Sequence, residues 1–361
     1  MTTSPIKNID YIELYVFNAF QSACFYKAVF GFNIIGHAGP ETGITDKTSY
    51  ILEQGNIRLL ISSPRDRKSA PFQKIIDHDE YVKDVAFTVT DIRTVYEQAI
   101  KAGAKSVLSP TLIEDGRTKL IKACIQTFGN TIHTFIERDE TTNFQLPYYE
   151  HFQDPPNTFE VGLEDLDHIA IAVETGQIEL WKNFYSNVFN FHTFHKEDIF
   201  TSDNGMKSIV VSDANEVIKF VLVEGISKSK TSQIDNYISY NGCSGIQHLA
   251  FSTKNIYNAA TLLTKQGINF LKIPESYYAD LPDNLKEHFL ERMTQIKDLN
   301  ILLDAEKNGY LLQMFTRPLQ NFPTFFIEII QRENSQGFGS NNIKALFRAV
   351  EKDQQKALVN A

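Results

Sequence analysis

The sequence predicts an α+β fold made of two homologous domains, each holding two strand–helix–strands units. Three observations carry this. The chain repeats itself in blocks that keep their order, with a period near half of its 361 residues. In the first two blocks a short run of strand character leads into a segment of helical period. Composition is that of an ordinary folded protein, 42% hydrophobic and 22% charged, with length enough for two domains of usual size.

The first block sets Ile-Asp-Tyr-Ile-Glu-Leu-Tyr-Val, from Ile9, against Leu-Asp-His-Ile-Ala-Ile-Ala-Val, from Leu166. The following helices end in matched phrases, Phe25 to Phe32 and Phe184 to Phe191. In the second block Val85-Ala86-Phe87-Thr88 answers Leu249-Ala250-Phe251-Ser252, then Asp91-Ile92 answers Asn255-Ile256. The helices after them close at Gly103 and Gly267, where glycine suits a left-handed C-cap. A third block aligns His133-Thr134-Phe135-Ile136-Glu137 with Thr324-Phe325-Phe326-Ile327-Glu328. The expected organisation is a first domain over 1–139, a linker over 140–162 and a second domain over 163–361. Pro147, Pro155 and Pro156 with no periodicity mark the linker. Beyond a Gly-Phe-Gly turn, Ile343, Leu346, Phe347 and Val350 fall on one helical face, either packing on a core or closing a pocket as a lid.

A net charge of −9 argues against a nucleic-acid surface, which needs a basic patch. No apolar run approaches a membrane span, and the N-terminus lacks signal-peptide design, so a soluble cytoplasmic protein is expected. Cys24, Cys124 and Cys243 form no Cys-x-x-Cys pair and offer no disulfide framework.

Where the copies differ, chemistry is expected. The second copy has His168 opposite Tyr11 and His248 opposite Asp84, while both copies keep an acid, Glu328 and Glu137. Two histidines and one carboxylate form the facial triad of non-heme Fe(II) oxygenases, which leaves positions open for substrate and dioxygen. The ordinary alternative is strand histidines that merely pack. The remaining histidines, His37, His78, His133, His151, His192, His195 and His288, are read as loop or unpaired residues without a role.

The triad context, with Gly-Ile-Gln-His-Leu-Ala-Phe from Gly245 and Phe-Phe-Ile-Glu-Ile-Ile-Gln-Arg from Phe325, resembles the vicinal-oxygen-chelate dioxygenases that consume 4-hydroxyphenylpyruvate. Further agreement lies in Ser-Gln-Ile-Asp-Asn-Tyr from Ser232, Gly-Tyr-Leu-Leu-Gln-Met-Phe-Thr-Arg-Pro from Gly309 and Gly-Phe-Gly-Ser-Asn-Asn-Ile-Lys-Ala-Leu-Phe from Gly337. The resemblance spans nearly the whole chain and is densest over 163–350. It implies two vicinal-oxygen-chelate domains of paired βαβββ modules forming open barrels, with a C-terminal lid helix and Fe(II) only in the second barrel. Its metal ligands map to His168, His248 and Glu328. Gln247 and Gln313 match glutamines beside them, and Phe315 and Phe326 match the aromatic pair around the substrate ring. Phe338, Asn342 and Leu346 match the lid, and Ser208 and Gln233 match polar positions deeper in the pocket. Relatives of this kind imply a homodimer or homotetramer.

Two enzymes share that family. Both oxidatively decarboxylate 4-hydroxyphenylpyruvate with dioxygen. One, 4-hydroxyphenylpyruvate dioxygenase, oxygenates the ring to homogentisate in tyrosine catabolism. The other, 4-hydroxymandelate synthase, hydroxylates the benzylic carbon. The ring-oxygenating pattern reads Pro-x-Asn before a Glu; here Val221-Leu222-Val223 precedes Glu224. It also carries Phe after the lid Asn, where this chain has Ile343. Losing the buried amide at Val223 removes a partner for the substrate phenol, worth about 1–3 kcal/mol. Ile343 and the phrase His-Leu-Ala-Phe-Ser-Thr from His248 resemble the synthase, which is the expected activity. A repacked homogentisate-forming enzyme and a non-catalytic small-ligand-binding protein are the alternatives.

Overall fold

A computed structural model of the chain describes residues 6–138, 144–152, 159–200, 203–306, 309–339 and 341–344. The first half contributes β1 (Ile6–Tyr15), β2 (Asn33–Ala38), β3 (Lys47–Gln54), β4 (Ile57–Pro64), β5 (Tyr81–Val89), β6 (Lys105–Glu114), β7 (Lys119–Gln126), β8 (Ile132–Glu137) and the short β9 (Glu150–His151). The second contributes β10 (Leu163–Val173), β11 (His192–Phe200), β12 (Asn204–Ser212), β13 (Lys219–Ser227), β14 (Gly245–Thr253), β15 (Leu302–Glu306), β16 (Gly309–Phe315) and β17 (Phe326–Glu333). The main helices are α1 (Ala19–Phe30), α2 (Ala70–His78), α3 (Ile92–Lys101), α4 (Ile178–Phe189), α5 (Gln233–Asn241) and α6 (Ile256–Lys265).

Each half is one curled mixed sheet. Across the first the order is β9-β2-β3-β4-β1-β5-β8-β7-β6, and across the second β11-β12-β13-β10-β14-β17-β16-β15. Apart from β9 the two orders are the same, strand for strand. In each, two βαβββ units meet where their first strands pair antiparallel, β1 with β5 and β10 with β14. Helix ends follow the local sequence. Asn18, Asp91 and Asn255 cap α1, α3 and α6 by accepting from the backbone N–H three residues on. The left-handed residue after α1 is Gly31 (φ 81°), and after α4 it is Asn190 (φ 57°), the two residue types that tolerate that conformation best.

Strand alternation sorts the core. Ile169, Ile171 and Val173 join a large buried cluster that runs unbroken through both halves, while Ala170 and Ala172 face the concave side of the second sheet. The halves meet through aromatics: Phe87 lies 5.7 Å from Phe189 and Phe32 lies 6.2 Å from Phe251, ring centre to ring centre. At the middle of this contact His133 of β8, fully buried, stacks on Phe220 and hydrogen-bonds the Val85 carbonyl and the Tyr185 hydroxyl at 3.2 and 2.9 Å. It is therefore neither a loop residue nor unpaired, contrary to the sequence reading. His37, His151, His192 and His195 likewise sit on strands, and His78 and His288 on helices.

The segment expected as a plain linker also departs from that reading. Leu146 and Tyr149 are buried against the concave face of the first sheet, and β9 pairs with β2. Apolar side chains on either side of Pro147 give this segment something to bury. Leu346 and the rest of the expected lid helix beyond residue 344 lie outside the described residues; a helical turn is present at 341–344. No helix among the described residues is long and apolar enough to cross a membrane.

Candidate metal centre

Three adjacent strands place the triad. On β14, Ala250 stands opposite His168 of β10 on one side and Glu328 of β17 on the other, and Ala170 of β10 stands opposite His248. The alternation of two puts His248 and Ala250 on one face, and the small Ala250 leaves the space between His168 and Glu328 open. His168, His248 and Glu328 are 4%, 8% and 1% exposed. His168 Nε2 lies 3.2 Å from Glu328 Oε2, His248 Nε2 lies 3.4 Å from the same oxygen, and the two Nε2 atoms are 3.4 Å apart. Corners of such a triangle stand about 1.9 Å from its centre, while nitrogen and oxygen ligands stand about 2.0–2.2 Å from a first-row ion such as zinc. An ion just off the plane of the three atoms reaches all of them, so the residues fit a facially bound divalent metal. Among the described residues this is the group of His, Cys, Asp and Glu side chains close enough to hold one.

The charges are set by opposing effects. Burial raises the Glu328 carboxyl, but the charge and hydrogen bond of His168, with a second from His248, outweigh it and bring the carboxyl down to about 2. Burial disfavours charge on His168 too, yet Glu328 and Asp167 hold its ring up at about 9. Burial lowers His248. A bound divalent cation would take the place of the proton on His168 Nε2, as ligation requires.

Two polar chains fix the ligands from behind. His168 Nδ1 donates to Asp167 Oδ1 at 2.8 Å, and Arg332 grips Asp167 through Nε and Nη2 at 2.6 and 2.9 Å. Arg332 Nη1 also donates to the Gly337 carbonyl at 2.6 Å, tying in the turn that carries Phe338, whose ring lies edge-on to His168. In the other chain Gln313 Nε2 donates to Glu328 Oε1 at 2.8 Å, Asn342 Nδ2 donates to Gln313 Oε1 at 2.9 Å, and the Tyr277 hydroxyl donates to Asn342 Oδ1 at 2.6 Å. The carboxylate is acceptor-only, so it orients each amide in turn and the chain runs one way. Gly339 (φ +67°) seats the turn on Gln313; a Cβ there would lie 2.3 Å from Gln313 Oε1.

In front of the triad opens a cavity of about 470 Å³. Ser208, Val221, Val223, Gln233, Gln247, Gln313, Phe315, Phe326, Phe338 and Ile343 all line it with the three ligands. Phe326 stacks on the His248 ring at 4.7 Å, and Phe315 meets Phe326 edge-on at 6.3 Å. Val221 and Val223 form an apolar cluster with Met206 and Phe338, and Ile343 packs against it. Asn342 is a correction: it is fully buried behind Gln313 and does not line the cavity, because its amide is taken up by the chain to Glu328.

The first half shows what replaced the ligands. The third block aligns three residues away from the sequence alignment. Ala86 stands opposite Thr134 as Ala250 stands opposite Glu328, so the counterpart of Glu328 is Thr134 and that of Glu137 is Gln331. Function agrees, since Glu137 and Gln331 each accept the first N–H of a helix, Ile92 and Ile256. Thr134 Oγ1 donates to Asp84 Oδ2 at 2.5 Å and the Tyr11 hydroxyl to the same oxygen at 3.4 Å, a closed polar cluster where the second half has its triad. The same shift pairs Arg138 with Arg332, each bound to the repeated aspartate, Asp10 and Asp167. Sequence reasoning missed Asp167, Arg332 and Tyr277; the matched Phe-Ile-Glu-Arg and Ile-Ile-Gln-Arg ends were the available signal for Arg332.

The pattern of the Glyoxalase/Bleomycin resistance protein/Dioxygenase superfamily matches residues 8–134 and 165–281. The chain belongs to that superfamily. Among superfamily relatives, 4-hydroxyphenylpyruvate dioxygenase of Dictyostelium discoideum is 35% identical, covering 97% of this chain and 99% of that protein. The Danio rerio protein of the same name is 37% identical over 96% of this chain and 90% of its own length. A solved triple mutant of 4-hydroxymandelate synthase from Streptomyces coelicolor superposes with a TM-score of 0.88 at 31% identity, covering 97% of this chain and 99% of that one.

Proposed function

We propose that this protein is an Fe(II)-dependent dioxygenase that oxidatively decarboxylates 4-hydroxyphenylpyruvate and hydroxylates its benzylic carbon, giving 4-hydroxymandelate and CO2. The observation that carries the reading is a buried His168–His248–Glu328 face opening on a cavity whose lining includes the aliphatic Val221, Val223 and Ile343. Bound Fe(II) supplies the open positions and redox chemistry that bring a 2-oxo acid and dioxygen together. The protein's part is placement. Gln313 and Asp167 hold Glu328 and His168 in orientation, which keeps the three ligands on one face. Phe315 and Phe326 flank the substrate ring, and Phe338 with Ile343 closes the cavity over it and keeps water out. Ser208 and Gln233 are the polar partners for the phenol, since Val223 offers none. The ring then rests against branched aliphatics, and the side-chain carbon is the nearer target.

The relatives named 4-hydroxyphenylpyruvate dioxygenase support a second reading, in which the same first half of the reaction ends in homogentisate. A product assay separates the two. With Fe(II), ascorbate, oxygen and 4-hydroxyphenylpyruvate, the expected product is 4-hydroxymandelate. Homogentisate instead assigns the second activity, and neither product with no oxygen uptake leaves a ligand-binding protein. His248→Ala is expected to abolish turnover. The assembly expected is a homodimer or homotetramer in the cytoplasm.

A further inference from the structure

The cavity lining sorts by burial. Ser208, Gln313 and Glu328 are buried, whereas Tyr240, Arg317, Pro318 and Pro323 are exposed. The entrance therefore lies between the C-terminal end of α5 and the loop 317–324. Tyr240 lines it and stacks on Phe322 of the loop, ring centres 5.6 Å apart at 21°.

Both sides of this entrance are gripped from the first half, by the last turn of α2 and the two residues after it. Lys74 Nζ donates to the Asn241 carbonyl, and His78 Nδ1 donates to the Tyr240 carbonyl at 2.9 Å. Asp79 Oδ2 accepts the backbone N–H of Asn321 at 3.0 Å and of Phe322 at 3.2 Å, and the Glu80 carbonyl accepts from Gln320 Nε2 at 3.0 Å. The fit is close: Gly242, which ends α5, has the His78 ring where a Cβ would stand, at 2.5 Å. Asp79 is 4% exposed and has φ 71° and ψ −175°, a region otherwise almost reserved for glycine. A strained aspartate that spends Oδ2 on two main-chain N–H groups of another segment, while Oδ1 accepts the Glu80 N–H, marks a position held for what it fixes.

We propose that the Lys74–Glu80 corner shapes the substrate entrance, with Asp79 as a positioning residue that holds loop 317–324 so that Phe322 stacks on Tyr240. The first half, which holds no metal-binding group among its described residues, thereby acts directly on substrate admission. This rests on reading the cavity as a substrate pocket, so the first readout uses no substrate.

The test compares Asp79→Gly and Asp79→Asn in the full chain. Glycine relieves the backbone and removes the clamp; asparagine keeps an acceptor oxygen. In Asp79→Gly, amide exchange across 319–323 is expected to quicken about tenfold or more while the strands carrying His248 and Glu328 keep their rates, and Asp79→Asn should restore most of the protection. Turnover of 4-hydroxyphenylpyruvate by Asp79→Gly should show KM raised about five- to twentyfold with kcat within about twofold, the mark of lost binding alone. Unchanged exchange in 319–323 overturns the clamp. Faster exchange with unchanged KM, or a fall confined to kcat, overturns the role in admission. A wild-type protein that consumes no oxygen with this substrate sinks the proposed activity instead, and the exchange result still decides the clamp.

Discussion

Arg332→Met tests the reasoning about the support behind His168. Arg332 makes two parallel contacts to Asp167, and the side chains are 18% and 7% exposed. Removing one partner of a buried pair costs about 3–5 kcal/mol where nothing else faces the charge left behind; here the protonated His168 ring, 2.8 Å from Asp167 Oδ1, offsets part of that cost. The partial exposure of Arg332 places the expected loss near the lower end, about 3 kcal/mol. For a protein larger than 150–250 residues that is a fall in Tm of about 5–10 °C. The assay is urea and thermal unfolding of the metal-free protein at neutral pH, so that metal binding does not enter. Arg332→Lys keeps the charge but loses the fork and should fall between the two. Adding Asp167→Asn to Arg332→Met should recover part of the loss, because it removes the stranded charge. Anaerobic titration with Fe(II) should show the affinity of Arg332→Met lowered about 10–100-fold, since His168 loses its orienting partner. A loss under about 1 kcal/mol, with Asp167→Asn equally harmless in both backgrounds, would mean the pair is effectively solvated.

Three further outcomes are expected. His133 is held down at about 3 by burial, against 6.5 unfolded, so its contribution is present above pH 6.5 and is lost as pH falls toward 3. His133→Phe should flatten that part of an unfolding-versus-pH curve, by up to about 1.4 kcal/mol per pH unit. Burial raises Glu80 to about 7 from 4.5, so its contribution is present below pH 4.5 and is lost as pH rises through 7. Glu80→Gln should stabilise the protein at pH 8 by roughly 1–2 kcal/mol, a gain that vanishes below about pH 4.5 in the same unfolding measurement. Val223→Asn combined with Ile343→Phe should move product from 4-hydroxymandelate toward homogentisate, read by chromatography; an unchanged ratio would detach those positions from product choice.

Much of the site was legible because its chemistry needs rare residues. His168 and His248 stood out against Tyr11 and Asp84, and the motifs around them brought Gln313, Phe315 and Phe326 along, all of which line the cavity or touch a ligand. The third block was misread because strands of Phe, Ile and Val look alike under a shift of a few residues. Only the pairing of Thr134 with Ala86, and of Glu328 with Ala250, decides which residues correspond. Tyr277 was invisible for another reason: it lies 65 residues from Asn342, and nothing local marks a tyrosine whose hydroxyl completes a distant chain of amides.

By itself, then, the sequence determined the α+β class, the duplicated architecture, the order of the blocks and the identity of the three candidate metal ligands. These are written in periodicity, capping residues and the chemistry of single side chains, all of which act over a few neighbours. The tertiary structure alone decided that the ligand atoms converge within 3.4 Å, that Asn342 supports Gln313 instead of facing the cavity, and that Asp79 of the first half reaches the entrance of the second. Each depends on atoms brought together from distant parts of the chain, where strand register and the packing of one half on the other set the distances.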